Sequence, residues 1–244
     1  MAPPPSRYGP LHALAAGAVL VFAVLSNGFA AFWRQFLHGL DIEITDANIL
    51  PLLCTNTLLF GGLFLILWIS TFFGKRYSHE GDEHPRKGRT SSWPRCVRLT
   101  LLSAIPIALV ALGLNWASGE LLSRLAGINL SDQDLVKVVT SNTLSPGNKT
   151  ILYPFLLLEA PLLEEPLFRG VIFGGLAKIM PAGLAMALSG LLFALIHVNA
   201  ATLIPLWFLG VAFAWLYART GTLLAPMAVH FAFNAANLAL CLVF

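Results

Sequence analysis

The chain has 244 residues, of which 57% are hydrophobic and 11% charged, and its mean hydropathy is +0.76. Soluble domains carry about 25% charged residues, so this composition excludes an ordinary soluble protein and makes lipid the solvent. The formal net charge of +3 is small and its basic residues gather in one loop between apolar segments. Membrane orientation accounts for that loop, and nucleic acid is excluded as a partner.

The expected fold is all-α: a polytopic transmembrane helix bundle of about seven spans (six to eight), each needing about 20 apolar residues. After MAPPPSRYGP, an apolar run extends from Leu11 to Trp33. It is too long for a signal-peptide core and is read as a retained helix. The further apolar segments are 50–73, 99–117, 150–178, 182–198, 201–218 and 222–243. We divide the chain into N-terminal spans, 1–149, and a catalytic membrane core, 150–244.

The stretch 74–98 is polar, carries both charge signs and is broken by proline and glycine, which predicts a cytoplasmic linker. Its His79 and His84 have no ligand spacing and are read as solvated. The stretch 118–149 is read as an outer loop, with a short surface helix beginning near Ser131. Of the three cysteines, Cys54 and Cys241 fall in apolar segments and Cys96 in the basic loop; none has a zinc or disulfide pattern.

Alternating the loops from an inside N-terminus puts Arg7, Lys75, Arg76, Arg86, Lys87, Arg89, Arg95, Arg98, Lys178 and Arg219 inside. Arg34, Arg124, Lys137 and Lys149 fall outside, and Arg169 lies within a span. The excess predicts N-in, C-out, in what is read as a bacterial cytoplasmic membrane.

Charge inside a span costs at least about 2.5–3.5 kcal/mol at the helix centre, so it is kept for pairing or chemistry. Segment 150–178 holds Glu159, Glu164, Glu165 and Arg169. On a helix, Glu165 and Arg169 are i and i+4 and can pair, whereas Glu164 points about 100° away. An unpaired buried carboxylate can exchange protons, as a general base for water must. Pro166 removes a hydrogen bond to the Leu162 carbonyl and disfavours helical geometry at Glu165; with Pro161 it predicts a kink at the carboxylates. An ion cluster holding helices together is the competing explanation.

Two later segments bear on that choice. Phe193 and His197 are i and i+4, as are His230 and Asn234. Glu164 is 14 residues from Lys178 and His197 is 15 from Ala182, so both lie about 21–22 Å from the inner surface. Asn234 lies about 18 Å deep and His230 about 12 Å on the same measure. Each pair alone could equally be a helix-helix contact or a helix-end hydrogen bond.

Together the three segments resemble the CAAX protease and bacteriocin-processing family, the intramembrane proteases that include the Ras-converting enzyme. That family's pattern is Glu-Glu-x-x-x-Arg, Phe-x-x-x-His and His-x-x-x-Asn in order. It stands here as EEPLFRG (Glu164 to Gly170), FALIH (Phe193 to His197) and HFAFN (His230 to Asn234). The resemblance covers about residues 150–238. It implies that Glu164 and His197 bind and activate a water, that His230 and Asn234 stabilise the oxyanion, and that Glu165 with Arg169 supports Glu164. Phe193 is carried over as a supporting residue.

The expected activity is therefore that of an intramembrane endopeptidase acting on a membrane-associated or secreted protein or peptide, with lipid as surroundings. No cofactor is called for. Zinc is the secondary reading, since two histidines and a glutamate can form an open site. The alternatives are a proton-coupled transporter, which would favour two related halves with broken spans, and a non-catalytic membrane scaffold or immunity protein. Neither substrate identity nor oligomeric state is legible.

Overall fold

The computed structural model describes residues 8–25, 92–126 and 144–243, with isolated positions and short runs between 46 and 65. The described part is an all-α bundle. Three of its helices are long and apolar enough to cross a membrane: Trp93–Arg124, Leu203–Thr220 and Leu224–Val243. The described positions between 50 and 65 are helical. Residues 26–45, 66–91 and 127–143, which include Trp33, His79, His84 and the expected surface helix at Ser131, lie outside the described residues.

Helix α1 (Pro10–Leu25) buries Ala13, Ala16 and Leu20, a three-and-four spacing that makes one narrow face of small side chains. That face lies on the end of the helix bearing the carboxylates. A Cβ at Gly175 would stand 2.6 Å from the Ala13 Cβ and 2.7 Å from the Gly9 carbonyl oxygen, so the approach depends on glycine. Lys178 Nζ donates to the Tyr8 carbonyl at 2.6 Å at the same end. Helix α1 thus packs into the C-terminal half of the chain.

Helix α2 (Trp93–Ala126) is longer than the span expected at 99–117. Its start absorbs part of the predicted basic loop, so Cys96 is a buried helical residue whose thiol reaches the Thr220 carbonyl at 3.5 Å. Long basic side chains such as Arg95 and Arg98 can reach the interface from a helix end, which the charge pattern alone does not reveal. Its far end, 118–126, was expected as loop. Those residues continue the helix with Glu120 and Arg124 paired at 2.6 Å across one turn. The Leu101, Leu102, Ile105 and Leu109 face is exposed, as a lipid-facing surface requires.

Residues 146–176 form one continuous helical rod. It starts at α3 (Pro146–Pro154), where Pro146 occupies the first turn and Ser145 Oγ accepts the Asn148 N–H at 3.4 Å. Asp46 Oδ1 adds a second cap, accepting from Ser145 N and Asn148 Nδ2, each at 2.8 Å. The rod then widens to π-helix over Phe155–Glu159, returns to α-helix in α4 (Ala160–Glu165), widens again over Pro166–Phe173 and ends in α5 (Gly174–Leu176). Pro166 therefore does not displace Glu165 from helical geometry: Glu165 keeps φ −63° and ψ −43°. The change of register accommodates the missing N–H.

Helices α6 (Ala182–Leu195) and α7 (Leu203–Thr220) form an antiparallel hairpin. Gly190 and Gly210 meet at the crossing, where a Cβ on Gly210 would stand 2.5 Å from the Gly190 Cα. Trp207 Nε1 donates to the Ala187 carbonyl at 2.9 Å beside it. Helix α2 runs antiparallel to α7, tied at one end by Cys96 and at the other by Ser118 Oγ, which donates to the Ala201 carbonyl at 2.6 Å. Gly221, with φ 72°, ends α7 in a left-handed cap. Helix α8 (Leu224–Val243) closes the bundle against α2, α4 and α7.

Candidate active site

The carboxylates sit where the rod faces α7 and α8. Glu165 and Arg169 are both fully buried, and the guanidinium Nε lies 3.0 Å from Glu165 Oε2. The contact is off the N–H direction, so it is an ion pair without an aligned hydrogen bond; none of the three guanidinium nitrogens has a hydrogen-bond partner among the described residues. Aromatic faces supply the remaining surroundings. The Arg169 Cζ stands 4.7 Å from the Phe193 ring centroid, 5.2 Å from Phe213 and 5.7 Å from Phe168. A desolvated guanidinium gains about 2 kcal/mol or more from such a ring face.

His230 bridges the two glutamates. Its Nδ1 is 2.9 Å from Glu165 Oε1, and its Nε2 is 4.0 Å from Glu164 Oε2. An ionised carboxylate only accepts, so Nδ1 carries the proton and donates, leaving Nε2 turned toward Glu164. The Phe213 ring stacks on the imidazole, with centroids 5.1 Å apart and planes at 27°. Glu164 is 9% exposed, and its Oε2 has no hydrogen-bond partner among the described residues.

His197 occupies a different kind of position. It lies just beyond the last residue of α6 and is exposed, and its Nδ1 is 2.7 Å from the Phe193 carbonyl. That bond caps a last-turn carbonyl, fixes the tautomer and leaves Nε2 as an acceptor. The next residue, Val198, has φ 48°, a left-handed conformation that strains a β-branched side chain and turns the chain sharply after His197. The His197 ring meets the Phe193 ring edge-on at 5.0 Å, and Phe193 in turn meets His230 at 6.0 Å.

The structure thus gathers Glu164, Glu165, Arg169, Phe193 and His230 into one cluster. It joins His197 to them through Phe193 but gives it no direct bond to Glu164. Asn234 Nδ2 donates to the Leu156 carbonyl at 3.0 Å, so it reaches the rod about two turns before the carboxylates. Among the described residues, no three His, Cys, Asp or Glu side chains stand as a metal-binding group; both Glu165 oxygens face partners, His230 and Arg169.

Sequence reasoning missed three contributors. Phe213 and Phe168 line the Arg169 cage, and Ser189 Oγ donates to the Phe168 carbonyl at 2.9 Å. A phenylalanine in an apolar helix carries no local signal that separates such a role from ordinary packing.

Residues 146–236 match the family described as "Type II CAAX prenyl endopeptidase Rce1-like". The chain is similar to the "Putative membrane peptidase YdiL" of Bacillus subtilis (strain 168), 34% identical over 77 residues, 32% of each chain. It is also similar to the "Membrane-embedded CAAX protease MroQ" of Staphylococcus aureus (strain USA300), 40% identical over 83 residues, 31% of this chain and 33% of the relative. The chain spans about a third of the length of these curated relatives. No solved structure matches it significantly. All three motifs fall within the matched segment, and over residues 146–236 the resemblance to the CAAX-type membrane endopeptidases holds.

Proposed function

We propose that the protein is an intramembrane endopeptidase that hydrolyses a peptide bond of a membrane-associated or secreted protein. The observation that carries this reading is the buried chain of contacts Glu164–His230–Glu165–Arg169 within the matched segment. Arg169 pairs with Glu165 in this cluster, and Glu164 Oε2 stands 4.0 Å from His230 Nε2, where a general base can meet a water.

In this reading Glu164 takes a proton from a water, with His197 Nε2 helping to hold it, and the hydroxide attacks the scissile carbonyl carbon. The electron pair of the C=O moves to oxygen. Asn234 and His230 donate to that oxyanion. For this His230 donates through Nε2–H while its Nδ1–H stays on the Glu165 carboxylate. The proton held by Glu164 passes to the leaving nitrogen as the C–N bond breaks. The scheme needs no metal or cofactor, and a chelator is expected to leave the rate unchanged. The membrane is proposed to be a bacterial cytoplasmic membrane, with the N-terminus inside and the C-terminus outside.

The test is cleavage of membrane-anchored peptides by the purified protein in proteoliposomes. Glu164→Gln keeps the shape and removes the base, and is expected to lower the rate by about 10²–10⁴-fold. Full activity in Glu164→Gln sinks the general-base role. Ion flux without peptide cleavage by the wild type would favour a transporter instead.

A further inference from the structure

Pro161 lies one turn before Glu164 and belongs to none of the three motifs. Its effect falls on the backbone behind it. In the π-helical turn Phe155–Glu159, the Ala160 N–H donates to the Phe155 carbonyl, five residues back. That donor is drawn away from the Leu156 carbonyl, its ordinary partner at four residues. The next donor in the widened register belongs to residue 161. Proline has no N–H to give. Within a membrane a carbonyl left open in this way must find a partner inside the protein. Asn234 supplies it, with Nδ2 at 3.0 Å from the Leu156 oxygen. Asn234 stands one turn beyond His230 on α8, which packs against both the π turn and α4.

We infer that Pro161 is a positioning residue: by withholding a main-chain donor from Leu156 it fixes the Asn234 amide, with one N–H bound and the other left for the reacting carbonyl. The catalytic half of this inference rests on the peptidase reading above; the structural half does not.

Pro161→Ala returns an N–H to the rod, so Leu156 gains a main-chain donor and Asn234 is released. A double-mutant cycle on thermal unfolding needs no substrate. Asn234→Ala is expected to lower the melting temperature of the wild type, and to lower it by less than half as much in the Pro161→Ala background. Equal losses in both backgrounds overturn the inference. In the cleavage assay, Pro161→Ala is expected to lower kcat by at least about tenfold with KM unchanged, as for a displaced oxyanion donor. The α-hydroxy analogue of alanine at position 161, which like proline lacks an N–H, is expected to restore it. Wild-type kcat in Pro161→Ala, or no rescue by the hydroxy analogue, overturns the catalytic half. If the wild type cleaves no peptide, the peptidase reading fails, while the unfolding cycle still decides whether Pro161 holds Asn234.

Discussion

Arg169 is the bulkiest fully buried side chain among the described residues, and rings surround it more than hydrogen-bond acceptors do. Its counter-charge in contact is Glu165, whose other oxygen receives His230. Phe213 touches both ends of this chain, standing over the guanidinium and stacking on the imidazole. Phe213→Leu keeps an apolar side chain of similar reach but removes the ring face. It is expected to cost about 2–4 kcal/mol, combining the lost cation–π contact with a partial cavity. Thermal unfolding in detergent measures this. The kcat is expected to fall along with stability, because His230 loses the surface that holds its plane; wild-type kcat and stability would show that the stacking carries nothing. The Glu165–Arg169 pair was legible because both partners lie on one helix at i and i+4. The Glu165–His230 bond spans 65 residues, and periodicity along one helix cannot foretell it. The depth estimates brought Glu164, His197 and Asn234 to similar levels but could not say which imidazole would meet which carboxylate.

Elements place these residues through small side chains and helix ends. The α6–α7 crossing carries Phe193 on one helix and Phe213 on the other, each three residues past a glycine. Gly210→Ala would put a methyl group 2.5 Å from the Gly190 Cα, where only backbone movement can relieve the clash. The expected cost is about 1–3 kcal/mol, together with reduced cleavage as Phe193 and Phe213 separate around Arg169. An unchanged melting temperature would mean the helices part freely. At the start of the carboxylate rod, the Asp46 carboxyl is held below its ordinary value of 3.8, chiefly by the Ser145 backbone N–H and then by the Asn148 amide. A group with a lowered folded value contributes its stability above the unfolded value and loses it as pH falls through the folded one. The Asp46 tie is therefore intact at neutral pH and given up only below pH 3.8. Asp46→Ala is expected to speed hydrogen exchange of the Ser145 amide at pH 7; unchanged protection would leave the capping to Ser145 alone. Helix existence was legible from apolar length. The ends of α2 were not, because Trp93–Arg98 reads as a basic loop until Cys96 is seen packed on Thr220, and 118–126 reads as polar until Glu120 and Arg124 pair.

For the molecule as a whole, the charge bias and the packing make one joint statement about direction. The α6–α7 hairpin puts Lys178 and Arg219 at the same end of the bundle, and the Cys96–Thr220 contact adds the Arg95 and Arg98 end of α2 to them. Arg124 and Lys149 belong to the other end, which His197 shares at the close of α6. If the richer end faces the cytoplasm, the exposed His197 faces outward and the site is entered from the outer half of the membrane. A single cysteine in place of His197, in a chain whose Cys54, Cys96 and Cys241 are replaced by alanine, reads this directly. A membrane-impermeant maleimide added to intact cells is expected to label it, whereas a cysteine in place of Lys178 should be labelled only after permeabilisation. A C-terminal alkaline phosphatase fusion is expected to be active and a green fluorescent protein fusion dark, since α8 runs outward from the Thr222 end. The reverse pattern would turn the bundle over with its packing unchanged. The site would then open to the cytoplasm, and any substrate would have to present its scissile bond before, and not after, crossing the membrane.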